Sequence, residues 1–491
     1  EIYTLSLHDA LPISIHSPTT AFKKKLHRCG PSAEPPLLTQ SGRAHTRTEP
    51  ADPKSLERGV RQLLADKISG SHLGLWLLVP EHLRLGTWDL LCGWTRQAPE
   101  RVEPRLALQL VHEAALCTAG LRSKRSLPQK GFALTHGLHF LAADPTIHQL
   151  LAAHTVVEAQ DLQRALGQLR RASGHYAGKV LVIDPHRLRS YSKRRMRRQR
   201  KEPSAAPHKL AQTFFAIDGD TCQPLAFTTG TASRTVSQAT PELLDLAAAI
   251  LGPQPNTTLV LADAEHFTTE IIGRVHQQTG FDLLVPLIIR KPMLERLRSV
   301  PSELFTRHWA GYATAQIPYE LRRGLTGPLP LYVQRFGEAP KDWKWNAFLC
   351  TAQRDEIEAL THDYPKRWHV EEFFNKDQAL GWDRAGTLNV NIRYGQMTMA
   401  LVAQTVLHQL RCRLGEPYTT WDAKHLAKDF LQGLEGDVRV TDDTILVTYY
   451  NAPKAECLQE HYQGLPGKLR AENVNPHIPW LYDYKLDFRF R

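Results

Sequence analysis

The hydrophobic pattern changes character along the chain. From about residue 55 to residue 173 apolar positions recur with helical spacing, as in LQRALGQL at 162–169. Continuous apolar, β-branched runs follow, and KVLVID (179–184) and TLVLAD (258–263) are the clearest of them. Such runs are typical of buried central strands. The pattern therefore predicts a helical region followed by an α/β region.

The order of elements in the second region indicates its fold. Two further strands, TFFAI (213–217) and PLAFTT (224–229), are joined through Asp-Gly-Asp, which is typical of a tight hairpin. Helices near 241–251 and 268–279 then alternate with TLVLAD and FDLLVPLII. Three antiparallel strands followed by this alternation predict an α/β, ribonuclease H-like domain. Short alternating segments without helical period predict further β-strands near 290–352.

These patterns predict five segments. Residues 1–54 are expected to be disordered or artefactual, because 16–53 is rich in Pro, Ser, Thr and charge and the first fourteen residues resemble a translated adaptor sequence. The other segments are a helical domain that is a candidate for DNA binding (55–175), the ribonuclease H-like catalytic domain (176–289 and 353–415), the β-rich insertion (290–352) and a C-terminal region (416–491).

Composition narrows the function classes. The chain has 61 Lys and Arg against 50 Asp and Glu, a net charge of +11, which favours a polyanionic partner over the alternative of a mildly basic protein without one. Its seven cysteines are scattered without a C-x-x-C pair, so we expect neither a disulfide framework nor a structural zinc site. No apolar run approaches the ~20 residues of a membrane helix. We therefore expect a cytoplasmic protein without membrane contact.

Two strands of the predicted sheet end in a carboxylate. Asp184 and Asp263 follow the apolar runs KVLVI and TLVLA. Open α/β sheets bind their ligands at the carboxyl ends of the strands, and these two strands are predicted neighbours. A helix cap or a turn is the alternative role for each aspartate taken singly.

A third acidic segment is YPKRWHVEEFFNKDQ, residues 364–378. Pro365 suits the first turn of a helix that Thr361 or Asp363 would cap. Such a helix places four side chains on one face: Tyr364, Arg367, Trp368 and Glu371. The alternative is a solvated Arg–Glu pair worth only about 0.3–0.5 kcal/mol, although the flanking aromatic residues predict a packed helix.

This segment resembles the Y-x-x-R-x-x-x-E signature of bacterial insertion-sequence transposases, the DDE group with a β-rich insertion before the glutamate. Tyr364, Arg367 and Glu371 match it, and the two aspartate strands resemble the first and second aspartate motifs. The family pattern has Lys seven residues after the glutamate. Here that position is Gln378, so the corresponding DNA contact is expected from Lys376 instead. The resemblance spans residues 179–414.

The resemblance implies a metal-dependent enzyme that cleaves DNA at transposon ends and transfers the strands into target DNA. Asp184, Asp263 and Glu371 would be catalytic and would bind two Mg²⁺ ions, with Mn²⁺ as an alternative, because such a pair activates the attacking oxygen and stabilises the leaving one. Tyr364, Arg367 and Lys376 would contact DNA. The implied partners are double-stranded transposon ends and target DNA, bound by a homodimer in the bacterial nucleoid. Four other acids compete for the same role: Asp218, Asp220, Glu265 and Glu372.

The densest basic cluster, RLRSYSKRRMRRQRK at 187–201, follows the first candidate ligand and has nine basic residues in fifteen. We predict that it contacts DNA phosphates, with a solvated charged loop as the alternative. The residues expected to do so are Lys193, Arg194, Arg195, Arg197 and Arg198. In the insertion, Trp343 and Trp345 would either stack on an extruded base or pack within the protein.

Two other function classes remain open on the sequence. A ribonuclease H-like nuclease would cleave without joining strands. A domesticated DNA-binding relative would be expected to lack one carboxylate, whereas all three are present. A tyrosine recombinase would leave the three carboxylates unexplained.

Overall fold

A computed structural model describes most of the chain after residue 51. The described residues are 52–119, 130–191, 195, 197–199, 206–231, 233–253, 257–321, 327–384, 387 and 389–491. The segment predicted to be disordered or artefactual therefore lies almost wholly outside the described residues. Lys193 and Arg194 lie outside them as well.

The apolar runs form the central sheet. Strand β2 (Val180–Arg189) pairs antiparallel with β4 (His208–Asp218) and parallel with β6 (Thr258–Leu261), and β6 pairs parallel with β7 (Phe281–Pro286). Strand β5 (Gln223–Thr231) and the two residues of β3 (Arg198–Gln199) both pair with β4. The order β5–β4–β2–β6–β7 confirms the predicted ribonuclease H-like fold.

The insertion lengthens this sheet. Its last strand, β11 (Lys344–Cys350), pairs antiparallel with β7 through Phe348 opposite Pro286 and Cys350 opposite Leu284. The insertion begins with a short helix, α10 (Lys291–Arg298). Its other strands are β8 (Thr306–Trp309), β9 (Tyr312–Tyr319) and β10 (Leu329–Phe336). Within the described residues the sheet thus reaches ten strands.

Alternate residues of the central strands face two different hydrophobic layers. Leu181 and Ile183 belong to the core shared with helices α8 (Val236–Leu251) and α9 (Thr269–Gln278). Val180 and Val182 belong to the core on the opposite face, with α12 (His369–Asp377) and α13 (Val390–Leu414). This alternation follows from the two-residue period of a strand, and it decides which face each polar side chain occupies.

The helical region packs against α13, and the two share one hydrophobic core. Helix α13 is buried on most sides. The described residues of this region form seven α-helices: α1 (Pro53–Ala65), α2 (Leu78–Leu85), α3 (Thr87–Thr95), α4 (Val102–Ala115), α5 (Lys130–Leu134), α6 (Asp144–Ala153) and α7 (Val156–Ala172). Helix α7 contains the apolar repeat seen in the sequence and begins at a capping box between Thr155 and Glu158. Among the described helices none combines the length and apolar character needed to cross a membrane.

The C-terminal region forms a second sheet. Strands β12 (Gly436–Thr441) and β13 (Thr444–Tyr449) make a hairpin, and β15 (Tyr484–Phe490) lies parallel to β13. The edge strands are β14 (His477–Ile478) and, from the start of the chain, β1 (Ile68–Gly70). Three helices complete the region: α14 (Ala423–His425), α15 (Ala455–Tyr462) and α16 (Leu465–Ala471). This sheet joins segments from both ends of the described chain. The predicted domain boundaries stay a prediction.

Candidate active site

The two aspartates occupy equivalent positions on neighbouring strands. In the parallel pairing of β2 with β6, Val182 lies opposite Leu261, and Asp184 and Asp263 each follow two residues later. Adjacent strands lie about 4.8 Å apart, so this register brings the two carboxylates together. The expectation that both aspartates end their strands is wrong for Asp184. Strand β2 continues to Arg189 because β4 still pairs with it, while its parallel neighbour β6 has ended.

Both aspartates face the layer that contains the glutamate segment. Asp184 shares the strand face of Val180 and Val182, and Asp263 shares that of Leu259 and Leu261; all four apolar residues belong to the core of helix α12. The glutamate segment therefore lies over the carboxylate-bearing face of the sheet.

The helical segment that carries the glutamate starts earlier than the sequence indicated. Its first residues form α11 (Glu356–Glu358), capped by the side chain of Asp355, which accepts a hydrogen bond from the Glu358 amide at 2.8 Å. The prediction that Thr361 or Asp363 caps a helix beginning at Tyr364 is wrong, since both lie inside the helical run.

Pro365 explains why this run is irregular. The chain passes through a π turn (Ala359–Asp363) and a 3₁₀ turn (Tyr364–Trp368) before α12 begins at His369. A proline inside a helix removes one backbone donor and its ring displaces the carbonyl four residues earlier, so the local hydrogen-bond spacing changes.

One face of this segment is directed at the aspartates. Residues 364–368 contact both β2 and β6, and Phe374 stacks on His186 of β2 with ring centroids 4.1 Å apart. Glu371 lies between Arg367 and Phe374, at helical spacings of four and three. The predicted grouping of Arg367 with Glu371 on one helix face is therefore compatible with the observed packing.

The surroundings of the partly buried Asp184 disfavour its ionised form. Burial and the neighbouring Asp263 raise the pKa of Asp184 to about 7, against the opposing effects of His266, Arg367 and Arg187. Within the described chain its carboxylate has no hydrogen-bond donor. A desolvated carboxylate beside a like charge fits a metal ligand, because a bound cation would offset both effects.

Asp263 is held more firmly. Its Oδ1 accepts hydrogen bonds from the Glu265 amide at 3.1 Å and from His266 Nδ1 at 2.7 Å. Burial raises its pKa, but the contacts with His266 and the Glu265 amide outweigh this and leave the pKa below its ordinary value. Asp263 therefore caps the short turn Ala264–His266, which was the alternative role considered for it from the sequence. No described group donates to its second oxygen.

The raised pKa of Asp184 leads to a stability prediction. The folded-state pKa of about 7 exceeds the ordinary value of 3.8. Proton binding to Asp184 therefore stabilises the folded state fully below the ordinary pKa, and this stabilisation is lost as the pH rises through about 7. Without metal, Asp184→Asn is therefore expected to raise the free energy of unfolding relative to wild type, by up to about 4 kcal/mol above pH ~7 and much less near pH ~4. Denaturant titrations in EDTA at both pH values measure this difference, and a difference independent of pH would contradict the assignment.

Tyr364 and Arg367 lie beside the aspartate pair. Burial raises the pKa of Tyr364 to about 12, with Asp263 and Asp184 acting in the same direction and the neighbouring Arg367 against it. Arg367 in turn lies over the exposed ring of Trp368, 4.7 Å from its centroid. Two residues of the signature thus contact each other at the carboxylates.

Glu371 is exposed and has no ion pair or hydrogen bond among the described residues. Its carboxylate, with those of Asp184 and Asp263, does not form a group of ligand atoms all within 4.8 Å of one another in the described part of the chain. The ligands of two ions about 3.5–4 Å apart can lie farther from one another than the ligands of a single ion. No contact among the described residues fixes the Glu371 carboxylate, and its role stays a prediction.

Each of the four competing acids has a contact of its own among the described residues. Asp218 is buried and accepts from the amides of Gly178, Asp220 and Thr221. Asp220 pairs with Lys366 at 2.8 Å, Glu265 forms a two-armed pair with Arg187, and Glu372 lies 3.9 Å from the Cys222 thiol. These contacts favour Asp184, Asp263 and Glu371 by elimination.

Sequence reasoning missed two residues of the site, Arg187 and His266. Arg187 follows Asp184 on β2, donates to Gln212 Oε1 at 3.0 Å and acts on both aspartates electrostatically. His266 is buried and donates to Asp263. The available signal was spacing, since each residue stands three positions after its aspartate.

The predicted DNA contacts differ in their surroundings. The half-buried Lys376 donates to the carbonyl of Thr419, so a DNA contact would require that bond to break. Arg195, Arg197 and Arg198 are exposed, and Arg198 lies in β3 opposite Lys209. In the insertion, Trp343 packs edge-on against Trp345 and beneath Arg335, which is 4.0 Å from its ring centroid.

Comparison with known proteins agrees with this geometry. Residues 175–406 match the family model of the transposase DDE domain, a span that begins just before β2 and ends within α13. This part of the chain belongs to the transposase DDE family. The match covers just under half of the chain, and it supports an enzyme that acts on DNA with divalent metal ions, as DDE transposases generally do.

One similar solved structure is the cryo-EM structure of the piggyBac transposase synaptic complex with hairpin DNA. Its TM-score is 0.37 at 12% sequence identity, and the similarity covers 73% of this chain and 79% of that one. No curated protein matches this chain.

Proposed function

We propose that this transposase cleaves DNA at transposon ends and joins the freed strands to target DNA, using two Mg²⁺ ions held by Asp184, Asp263 and Glu371. The observation that carries this proposal is the register of β2 and β6, which sets Asp184 beside Asp263 on the face covered by the glutamate segment. Mn²⁺ is the expected substitute ion.

The donor set fits such ions. Mg²⁺ takes oxygen ligands, few of them from the protein, and these are carboxylates with unused oxygens. The unpartnered Asp184 carboxylate and the second oxygen of Asp263 meet that requirement. When bound, the metal pair activates the attacking oxygen and stabilises the leaving oxygen of an in-line displacement.

The chain's own groups would position the DNA backbone. Arg367 and Arg187 lie near both aspartates and bring positive charge to the place where a phosphate must sit. Tyr364 lies beside Arg367 and interacts with it electrostatically. We expect a homodimer to bring two DNA ends together. The cytoplasmic, bacterial setting also stays a prediction.

Strand transfer separates this proposal from a nuclease. The experiment incubates the protein and Mg²⁺ with a labelled duplex that ends in the inverted repeats flanking the gene, together with a supercoiled target plasmid. The proposal predicts label covalently joined to the plasmid. Cleaved duplex without joined product would favour the ribonuclease H-like nuclease, and binding without cleavage would favour the domesticated DNA-binding protein.

The exposed arginines after β2 are expected to contribute affinity without sequence preference. Replacing Arg195, Arg197 and Arg198 by Gln should weaken binding to terminal and unrelated duplexes alike. Each lost phosphate contact should reduce the logarithmic salt slope by roughly 0.9. Binding titrations at several salt concentrations measure this slope, with the exposed Arg489→Gln, on β15, as the matched control. An unchanged slope and affinity for both duplexes would identify the segment as a solvated loop.

A further inference from the structure

A second group of ligand-type side chains lies beside the glutamate segment. Cys222, His369 and Glu372 each offer a sulfur, nitrogen or oxygen atom, and these atoms all lie within 4.8 Å of one another. Cys222 and His369 are partly buried and Glu372 is exposed, so an ion from solvent can reach the group. The transposition chemistry proposed above uses none of the three.

Two different elements supply this group. Cys222 ends the turn between β4 and β5, whereas His369 and Glu372 stand three residues apart at the start of α12 and so share a helix face. Cys222 Sγ already lies 3.9 Å from a Glu372 oxygen. A tetrahedral ion with ligands about 2.0–2.3 Å away requires only small side-chain shifts from this arrangement.

The histidine is oriented as metal ligands usually are. His369 Nδ1 lies 2.5 Å from the carbonyl oxygen of Gly219, to which it donates. This bond fixes the tautomer and leaves the Nε2 lone pair for a ligand. A backbone carbonyl behind the ring is the common outer partner of a metal-binding histidine.

We propose that Cys222, His369 and Glu372 bind one Zn²⁺ ion, with a water molecule in the fourth position. A sulfur, nitrogen and oxygen set selects zinc over Mg²⁺, which takes oxygen ligands. On binding, the Cys222 thiol releases its proton to the buffer and its sulfur forms the bond to the ion. The site is separate from the DDE carboxylates, because Glu372 and His369 face the β4–β5 turn while Arg367 and Phe374 face β2.

The ion would cross-link α12 to the β4–β5 turn, because its ligands come from both. Glu371 lies on the same helix, between His369 and Glu372 in sequence, so the ion would limit the movement of the helix that carries the third DDE carboxylate. Zinc is therefore expected to act on the position of this helix and not on the reacting phosphate.

Titration of the full chain with Zn²⁺ in excess Mg²⁺, competed against a chromophoric chelator, tests the site. We expect one ion per chain, and Cys222→Ser or His369→Asn should lower the affinity by roughly 100-fold or more, since loss of an outer partner alone costs 10–100-fold. The side-chain amide of Asn can still donate a hydrogen bond to the carbonyl oxygen of Gly219. Replacing Zn²⁺ by Co²⁺ should give a thiolate charge-transfer band that Cys222→Ser removes.

Two variants serve as matched controls. Cys412→Ser removes an exposed cysteine whose sulfur lies 3.6 Å from a ring nitrogen of His408, and Glu371→Gln removes the neighbouring carboxylate on the other helix face. Both should keep the wild-type zinc affinity and the Co²⁺ band. Wild-type affinity in Cys222→Ser and in His369→Asn would overturn the proposal, as would a zinc site lost in Glu371→Gln. Circular dichroism of each metal-free variant identifies any that fails to fold.

Discussion

Replacing Asp184 by Asn is expected to reduce DNA cleavage by roughly three orders of magnitude or more. The amide keeps the shape of the side chain but removes an anionic ligand from the aspartate pair. Metal ions supply several kcal/mol of transition-state stabilisation in such displacements, and each 1.36 kcal/mol is a factor of ten in rate. DNA binding should change little, because phosphate contacts elsewhere on the surface supply most of the affinity.

Single-turnover cleavage and equilibrium binding, measured on the same duplex, separate these two effects. Asp245→Asn is the matched control, since Asp245 is exposed and pairs with Arg274 at 2.9 Å away from the carboxylate face. It should cleave at the wild-type rate. Undiminished cleavage by Asp184→Asn in Mg²⁺ would rule out the mechanism, whatever the family of the domain.

Replacing Glu371 by Gln is expected to cause a loss of the same order. Glu371 lies between Arg367 and Phe374 on the helix face that covers the aspartates, whereas its neighbour Glu372 faces Cys222. The loss in Glu371→Gln should exceed the loss in Glu372→Gln by at least roughly 100-fold, about 2.7 kcal/mol of transition-state stabilisation.

Glu358→Gln, an exposed position in the same helical run, provides the control for a general effect of removing charge. It should remain within about twofold of wild type, as expected for a surface substitution. The reverse order, with Glu372→Gln the more damaging, would assign the third carboxylate to Glu372.

The central strands and their aspartates could be predicted because local pattern determines them. A continuous apolar run has to lie inside a sheet, and the order of hairpin, helix and strand leaves few topologies. The adjacency of Asp184 and Asp263 followed from that order. The continuation of β2 beyond Asp184 did not, because pairing with β4 stabilises residues 185–189 although their sequence is polar and basic.

The start of the glutamate segment was mispredicted because Pro365 usually marks a first turn. Here the preceding residues are already helical, and a π turn and a 3₁₀ turn accommodate the missing donor. Tertiary packing of this run against β2 and β6 outweighs the local preference.

Some contacts between distant segments could not be predicted from the sequence. Cys222 and His369 are far apart in the sequence, and no spacing rule connects a hairpin cysteine with a helix histidine. The same holds for β1 and β12, whose pairing brings the start of the helical region into the C-terminal sheet. Backbone pairing of this kind depends on the whole fold, since a three-residue strand carries little pattern of its own.

Crystals soaked in Mn²⁺ and measured near the manganese absorption edge test the central claim most directly, because the anomalous signal locates the ions independently of any activity. The account predicts at least one peak bridging Asp184 and Asp263, about 2.0–2.3 Å from their oxygens, with Glu371 turned towards the ions once DNA is bound. Manganese elsewhere on the protein, with the Asp184 and Asp263 carboxylates free of it, would contradict the account.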